Sequence, residues 1–224
     1  MTAAAPARVA APVEAVHVSA YDIPMEEPES DGTLEWDSTT CVVVEVEAGG
    51  ERGLGYTYGD VSIATMVESK LVVEGTNALA PGQAWSAMHQ AIRNAGRPGV
   101  GAMAISAVDV ALWDLKARLL GLPLADAPPR FHDRVPVYGS GGFCSYSDER
   151  LREQLSTWVD MGIPLKVKVG RKPERDPERL RAAREAIGDR ELFVDANAPT
   201  RVSRLSPGRT ASGTSSASPT SRSR

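Results

Sequence analysis

Two short strings hold the residues best suited to chemistry: Lys166-Val167-Lys168-Val169-Gly170 and Phe193-Val194-Asp195-Ala196-Asn197. Each ends an apolar run with two polar residues two apart, and on a strand that spacing aims both side chains at one face. The charged segment between them, residues 171–189, carries apolar residues at helical spacing, so the order reads strand, helix, strand, a parallel βαβ unit. Parallel strands present their chemistry at the carboxyl ends, which sets two ammonium groups and an Asp/Asn pair around one mouth. A lysine serves as a base when its pKa falls toward neutrality, and a second ammonium one strand-pitch away does this by disfavouring the doubly charged state. Lys166 and Lys168 are spaced for that pairing. Asp195 is a natural ligand for a hard divalent cation such as magnesium, which takes oxygen donors and stabilises the anion left when a proton leaves a carbon beside a carboxylate. Taken singly, each string also fits a solvated strand edge or a loop and helix cap.

The elements that must position these groups follow from the pattern upstream. Residues 13–21 alternate loosely and break at Pro24, residues 39–47 form the best strand in the chain, and residues 53–58 make a third. Helices are expected over residues 61–73, 83–95 and 100–120, giving an α+β module. In the last of these, Val100, Met103, Ala104, Ala107, Val108, Ala111, Leu112, Leu115 and Leu119 recur at three- and four-residue spacing and predict one buried face. Asp114 and Arg118 are an i,i+4 pair on the other side. Asp109 and Trp113 read as packing or hydrogen-bonding residues. Further on, residues 134–142 are expected as a strand and residues 147–161 as its helix, with Leu151, Leu155, Trp158 and Val159 on one face.

The stretch GAMAISAVDVALWDLKARLLGLPL, residues 101–124, resembles the first signature of the mandelate racemase and muconate lactonizing branch of the enolase superfamily, and it precedes K-x-K and D-x-N in that family's order. The resemblance covers roughly residues 12–197. It implies an α+β capping domain (three-stranded antiparallel sheet plus helices) over residues 1–130. The first three βα units of a (β/α)8 TIM-type barrel would follow over 131–197. It also implies that Lys168 abstracts the proton, that Lys166 is its pKa-lowering neighbour, and that Asp195 is the first of three carboxylate ligands to Mg2+. Asn197 and Ser140 would lie near the substrate, although the glycines around Ser140 fit a close backbone approach equally well. Two loops, residues 22–36 and the stretch around Gly55-Tyr56-Thr57-Tyr58, would close over the barrel mouth, which makes Tyr21 and Tyr56 substrate-binding candidates. The first loop holds Glu26, Glu27, Glu29, Asp31 and Glu35, and is read as solvated because so acidic a lid repels carboxylate substrates.

Composition narrows the classes. With 224 residues, 42% of them hydrophobic, the chain can bury a core. Its apolar runs are too short to span a bilayer, and residues 1–15 read as a frayed terminus. Cys41 and Cys144 lack metal or redox spacing and read as free thiols of a reducing cytoplasm, while His17, His89 and His132 are dispersed and read as structural. All 29 acidic residues precede residue 198, whereas residues 198–224 carry five arginines and no acid. The acidic body offers no basic face for nucleic acid.

Residues 198–224, rich in Ser, Thr, Arg, Pro and Gly, are expected to be a disordered tail. A continuation Gly-Ala-Tyr-Ser-Arg-Lys-Gln read one base later gives Ala-Pro-Thr-Arg-Val-Ser-Arg, the sequence of residues 198–204, so the chain is expected to be truncated by a frame change after Asn197. Three outcomes follow. The resemblance implies Mg-dependent removal of the proton α to a carboxylate, with acid-sugar dehydration ahead of racemisation and cycloisomerisation. The substrate would be a small acid-sugar carboxylate, and a homo-oligomer is compatible. The alternative is a catalytically inactive remnant whose capping module folds or self-associates. The third is an Arg/Ser arm for an acidic partner.

Overall fold

The computed structural model describes residues 9–96 and 98–196, which group into two compact units. Asn197 and the tail lie outside the described residues.

The N-terminal unit comprises residues up to 29 together with 36–136. Its sheet has the order β1 (Ala15–Ser30), β2 (Glu35–Ala48), β3 (Glu51–Tyr58), with β2 and β3 antiparallel. From Val42 onward burial on β2 alternates: Val42, Val44, Val46 and Ala48 are buried and face three helices, α1 (Ser62–Lys70), α2 (Pro81–Ala91) and α3 (Val100–Leu119). Helix α3 lies along β3, where its partners are glycines. A Cβ on Gly53 would stand 2.6 Å from Leu115 Cβ, and one on Gly55 would stand 2.7 Å from the Ala111 nitrogen. This backbone-to-helix approach is what makes glycine necessary at both positions. Asp114 secures the pairing from the helix side, accepting from the Leu54 N–H at 2.9 Å and from Arg118 Nε at 2.9 Å.

Three details differ from the sequence expectations. Strand β1 does not stop at Pro24 but continues to Ser30, because it is an edge strand and its outer side needs no N–H from a proline. The acidic segment 22–36 is accordingly not a loop but the end of a hairpin. Glu26 and Glu27 are exposed, Glu29 accepts from Trp36 Nε1 at 3.3 Å, and Ser30 is buried. On α3, Ala104, Ala107, Val108, Ala111, Leu112 and Leu115 are buried as the spacing predicted and Val100 and Leu119 pack half-buried against the core, but Met103 is 41% exposed and Ile105 and Ala117 join the buried face.

The C-terminal unit comprises residues 30–35 and those from 137 onward. It is a parallel sheet of order β4 (Gly139–Ser140), β5 (Leu165–Lys168), β6 (Leu192–Asp195), with α4 (Asp148–Asp160) and α5 (Asp176–Ile187) as crossovers. Leu165 and Val167 point to the helices and join Leu151, Leu155, Ala183 and Ile187 in a second core, flanked by Trp158 and Val159 as the spacing on α4 predicted. Ser147 caps α4 by accepting from the Arg150 N–H at 3.1 Å. The expected strand over residues 134–142 shrinks to Gly139 and Ser140. Val135, Val137 and Tyr138 are more than half exposed, with no buried face for them to fill. Among the described residues no helix is long and apolar enough to cross a membrane.

Candidate active site

Parallel register brings the two strings together. Lys166 pairs with Phe193 and Lys168 with Asp195, so the alternate residues of β5 and β6 that turn away from the helices share one face, made polar by Lys166, Lys168 and Asp195. At its carboxyl end Asp195 Oδ2 lies 3.1 Å from Lys166 Nζ and 3.9 Å from Lys168 Nζ. The Lys166 side chain is 7% exposed, that of Lys168 12% and that of Asp195 31%, so the carboxylate is the member of the trio most open to solvent. The Lys168 ammonium also stands over the Phe143 ring, 5.3 Å from its centroid, a cation–π distance. Two cations and one anion thus converge at a strand end, where a bound carboxylate finds positive charge and a metal finds an oxygen donor.

The backbone around Lys168 is held from several sides. Its N–H donates to Gly142 O at 2.9 Å, and the next residue, Val169, donates to Asp195 O at 3.0 Å. Arg179, a residue the sequence reading missed, is buried and donates to the carbonyls of Lys168 (3.3 Å), Tyr146 (3.1 Å), Gly142 (3.1 Å) and Phe143. Burial pushes its pKa down. A signal was present: Arg179 sits three and four residues before Ala182 and Ala183, on the apolar face of α5. Asp176, at the start of α5, accepts from the Gly170 N–H at 3.0 Å and has its pKa raised, chiefly by burial. A cavity of about 430 Å³ lies beside this scaffold, lined by Cys144, Ser147, Asp148, Arg171, Arg175 and others, but by neither lysine of the trio nor Asp195. Of its charged residues, Arg175 pairs with Asp148 at 3.6 Å, Arg171 with Glu35 outside the cavity at 3.3 Å, and Arg179 is taken up by backbone carbonyls, so the lysine–aspartate face is the better candidate for chemistry.

The remaining site candidates fall in different places. Ser140 is exposed and pairs in register with Lys166, adjacent to the cluster on the sheet. Gly139 and Gly141 on either side of it are needed for close approach, since a Cβ on either would meet Trp158. Tyr21 and Tyr56 belong to the N-terminal unit, where each is more than half exposed; Tyr56 meets Tyr58 edge-on at 5.9 Å. Asn197 lies outside the described residues. At the hairpin tip, Asp31 Oδ1 accepts from the Thr33 N–H, the Thr33 hydroxyl and the Leu34 N–H at 2.6, 2.7 and 2.9 Å. The Leu34 N–H, then the Thr33 donors, hold its pKa down at about 2, with a smaller contribution from the Lys168 ammonium. The folded value lies below the ordinary 3.8, so the stabilisation is complete above that value and is lost as pH falls through about 2. Amide resonances of Thr33 and Leu34 are therefore expected to hold steady from neutral pH to about 4 and then shift with a midpoint near 2; a midpoint near 3.8 would refute the turn's hydrogen bonding.

The sequence model for the N-terminal domain of mandelate racemase/muconate lactonizing enzymes matches residues 16–127, and an enolase C-terminal domain-like model matches residues 150–206. The chain belongs to the mandelate racemase/muconate lactonizing enzyme family. Within that family of the enolase superfamily, it is 35% identical over 196 residues to the 3,6-anhydro-alpha-L-galactonate cycloisomerase of Streptomyces coelicolor, a match covering 83% of this chain and 54% of the relative. A mandelate racemase/muconate lactonizing enzyme-like protein from Rubrobacter xylanophilus superposes with a TM-score of 0.82 at 68% identity, covering 84% of this chain and 53% of that one. The L-talarate/galactarate dehydratase of Salmonella typhimurium, crystallised with Mg and L-lyxarohydroxamate, superposes with a TM-score of 0.76 at 28% identity over 88% of this chain and 56% of that one. The chain spans about half the length of the curated relatives it matches. The fold class is that of the family: a capping sheet with helices, then the first parallel strand and helix units.

Magnesium occurs in structures of the relatives. In this chain Asp195 supplies one oxygen donor of the right kind, half-open to solvent at a strand end. Among the described residues no group of three His, Cys, Asp or Glu could hold a metal ion. Among the described residues the donor set is thus correct in type and incomplete in number.

Proposed function

We propose that this chain carries the proton-abstracting part of an acid-sugar site, in which Lys168 removes the proton α to a substrate carboxylate. The observation that carries this reading is the convergence of Lys166 and Lys168 on one carboxylate oxygen at the carboxyl end of a parallel sheet. Lys168 is the base because it stands at the strand's last position, while Lys166, one pleat deeper and more buried, holds Asp195 in place. Asp195 would be one ligand of a magnesium ion, which when bound stabilises the charge of an enediolate. Ser140 and Asn197 would contact the substrate. The names of the relatives, which include an L-talarate/galactarate dehydratase and a 3,6-anhydro-alpha-L-galactonate cycloisomerase, support an acid-sugar carboxylate such as galactarate, with dehydration and cycloisomerisation as the competing outcomes.

The test is loss of the proton resonance at the carbon α to the carboxylate when galactarate and related acid sugars are held with the chain and Mg2+ in D2O. Exchange that EDTA abolishes supports the reading. A second reading is favoured by the absence, among the described residues, of any group of three His, Cys, Asp or Glu able to hold a metal ion: the 224-residue chain folds without turning over, leaving a capping module that folds or self-associates. A folded chain that exchanges no proton under any of these conditions supports the second reading and removes the first.

A further inference from the structure

We propose that Arg179 is a positioning residue that fixes the Lys168 ammonium by clamping the segment after β4 to the end of β5; the proposal rests on the proton-abstraction reading for its consequence and on geometry for its content. A guanidinium is costly to bury, and burial of Arg179 is nearly complete. Packing alone would be served by an apolar side chain at this point of α5, between Arg175 and Ala183. Four hydrogen bonds, all to backbone carbonyls, occupy the group instead, and each carbonyl belongs to the surroundings of Lys168.

One is the carbonyl of Lys168 itself. Another, Gly142 O, also accepts the Lys168 N–H, so a single oxygen joins the base's backbone to the guanidinium. The third is that of Phe143, whose ring lies under the Lys168 ammonium. The fourth, from Tyr146, closes the turn in which Phe143 sits, and Tyr146 meets Phe143 edge-on at 5.6 Å. Converging carbonyl dipoles repel, and the planar fork of an arginine is the side chain able to satisfy four of them at once. Without it the carbonyls must turn out to find water, carrying Phe143 away from Lys168 and leaving the ammonium free to sample rotamers. The clamp therefore acts on Lys168 from behind the sheet, through main chain and one aromatic ring, without touching the polar face.

Pulse acetylation read by mass spectrometry tests this with the full chain and requires neither metal nor substrate. In Arg179→Met the labelling rate of Lys168, relative to the exposed Lys70, should rise about fivefold, while buried amides of β5 stay protected. Arg179→Lys should restore part of the native behaviour, and guanidinium added to Arg179→Ala should restore most of it. A Lys168 labelling rate within about twofold of the parent in a folded Arg179→Met chain would overturn the proposal. Should the substitutions unfold the unit, guanidinium rescue of Arg179→Ala decides: recovery of the fold together with the native Lys168 labelling rate upholds the clamp, and recovery of the fold without it overturns it. Native labelling behaviour that depends on Arg179, in a chain that exchanges no substrate proton, would leave the clamp standing and remove only the catalytic reading.

Discussion

A Gly55→Ala substitution is expected to destabilise the N-terminal unit by about 3 kcal/mol, the upper part of the range for forcing an extra group into a closed core. The new Cβ would meet main-chain atoms of Ala107 and Ala111 on α3, and main chain cannot turn aside as a flexible side chain does. Register explains why the approach is so close. Val44 lies opposite Gly55 and Val46 opposite Gly53, so β2 contributes the bulk on this face and β3 contributes none. The helix answers with Ala107 and Ala111 over the glycines, and its axis settles against the strand backbone. Gly53→Ala meets Ala111 and Leu115 in the same way and should cost a similar amount, about 3 kcal/mol. Gly82→Ala is the control: it lies in α2 with open space around it, and better helix propensity should leave stability unchanged or raised by up to about 1 kcal/mol. Urea unfolding monitored by tryptophan fluorescence reads all three. A Gly55→Ala chain within about 0.5 kcal/mol of the parent would mean that β3 and α3 are not in contact as described.

Local sequence carried what depends on period and spacing, and missed what depends on neighbours far along the chain. Lys166, Lys168 and Asp195 were legible because a strand's alternation is rigid and because a parallel βαβ unit fixes which strand ends lie side by side. The same logic placed Leu151, Leu155 and Trp158 on one face of α4. Pro24 misled because proline breaks a central strand but is tolerated at an edge, and no local pattern tells which strand is the edge. Residues 134–142 read as a strand on propensity, whereas pairing decides: Gly139 and Ser140 pair in register on β5, and beyond them Gly142 accepts one hydrogen bond from the Lys168 N–H. Ser30 was illegible for a related reason. Its burial comes from Ser145 and Cys144, which accept and donate to its backbone from more than a hundred residues away. Arg179 lay between these cases: a charge on the apolar face of a helix was visible in the sequence, but the four carbonyls that explain it are assembled by the fold.

The second large effect separates the two lysines. Removing the Asp195 carboxylate in Asp195→Ala leaves the Lys166 ammonium, 7% exposed, without its ion-pair partner, and should cost about 2–4 kcal/mol of unfolding free energy, less than for a fully buried pair because Asp195 itself is partly open to water. Lys166→Met removes the charge together with its desolvation cost and should change stability by no more than about 1 kcal/mol in either direction. The double variant Lys166→Met/Asp195→Ala should then recover most of the loss, a coupling of about 2 kcal/mol in the double-mutant cycle. Lys168→Met behaves differently. Its ammonium lies 3.9 Å from Asp195 and over the Phe143 ring, so its loss should alter stability by less than about 1 kcal/mol while lowering substrate-proton exchange, wherever the parent shows it, by about 10³-fold. A Lys168→Met chain that retains exchange removes Lys168 as the base. An additive cycle between residues 166 and 195 removes the ion pair as the device that holds the carboxylate. The two results are independent, because the first reads the chemistry at the mouth of the sheet and the second reads the support beneath it.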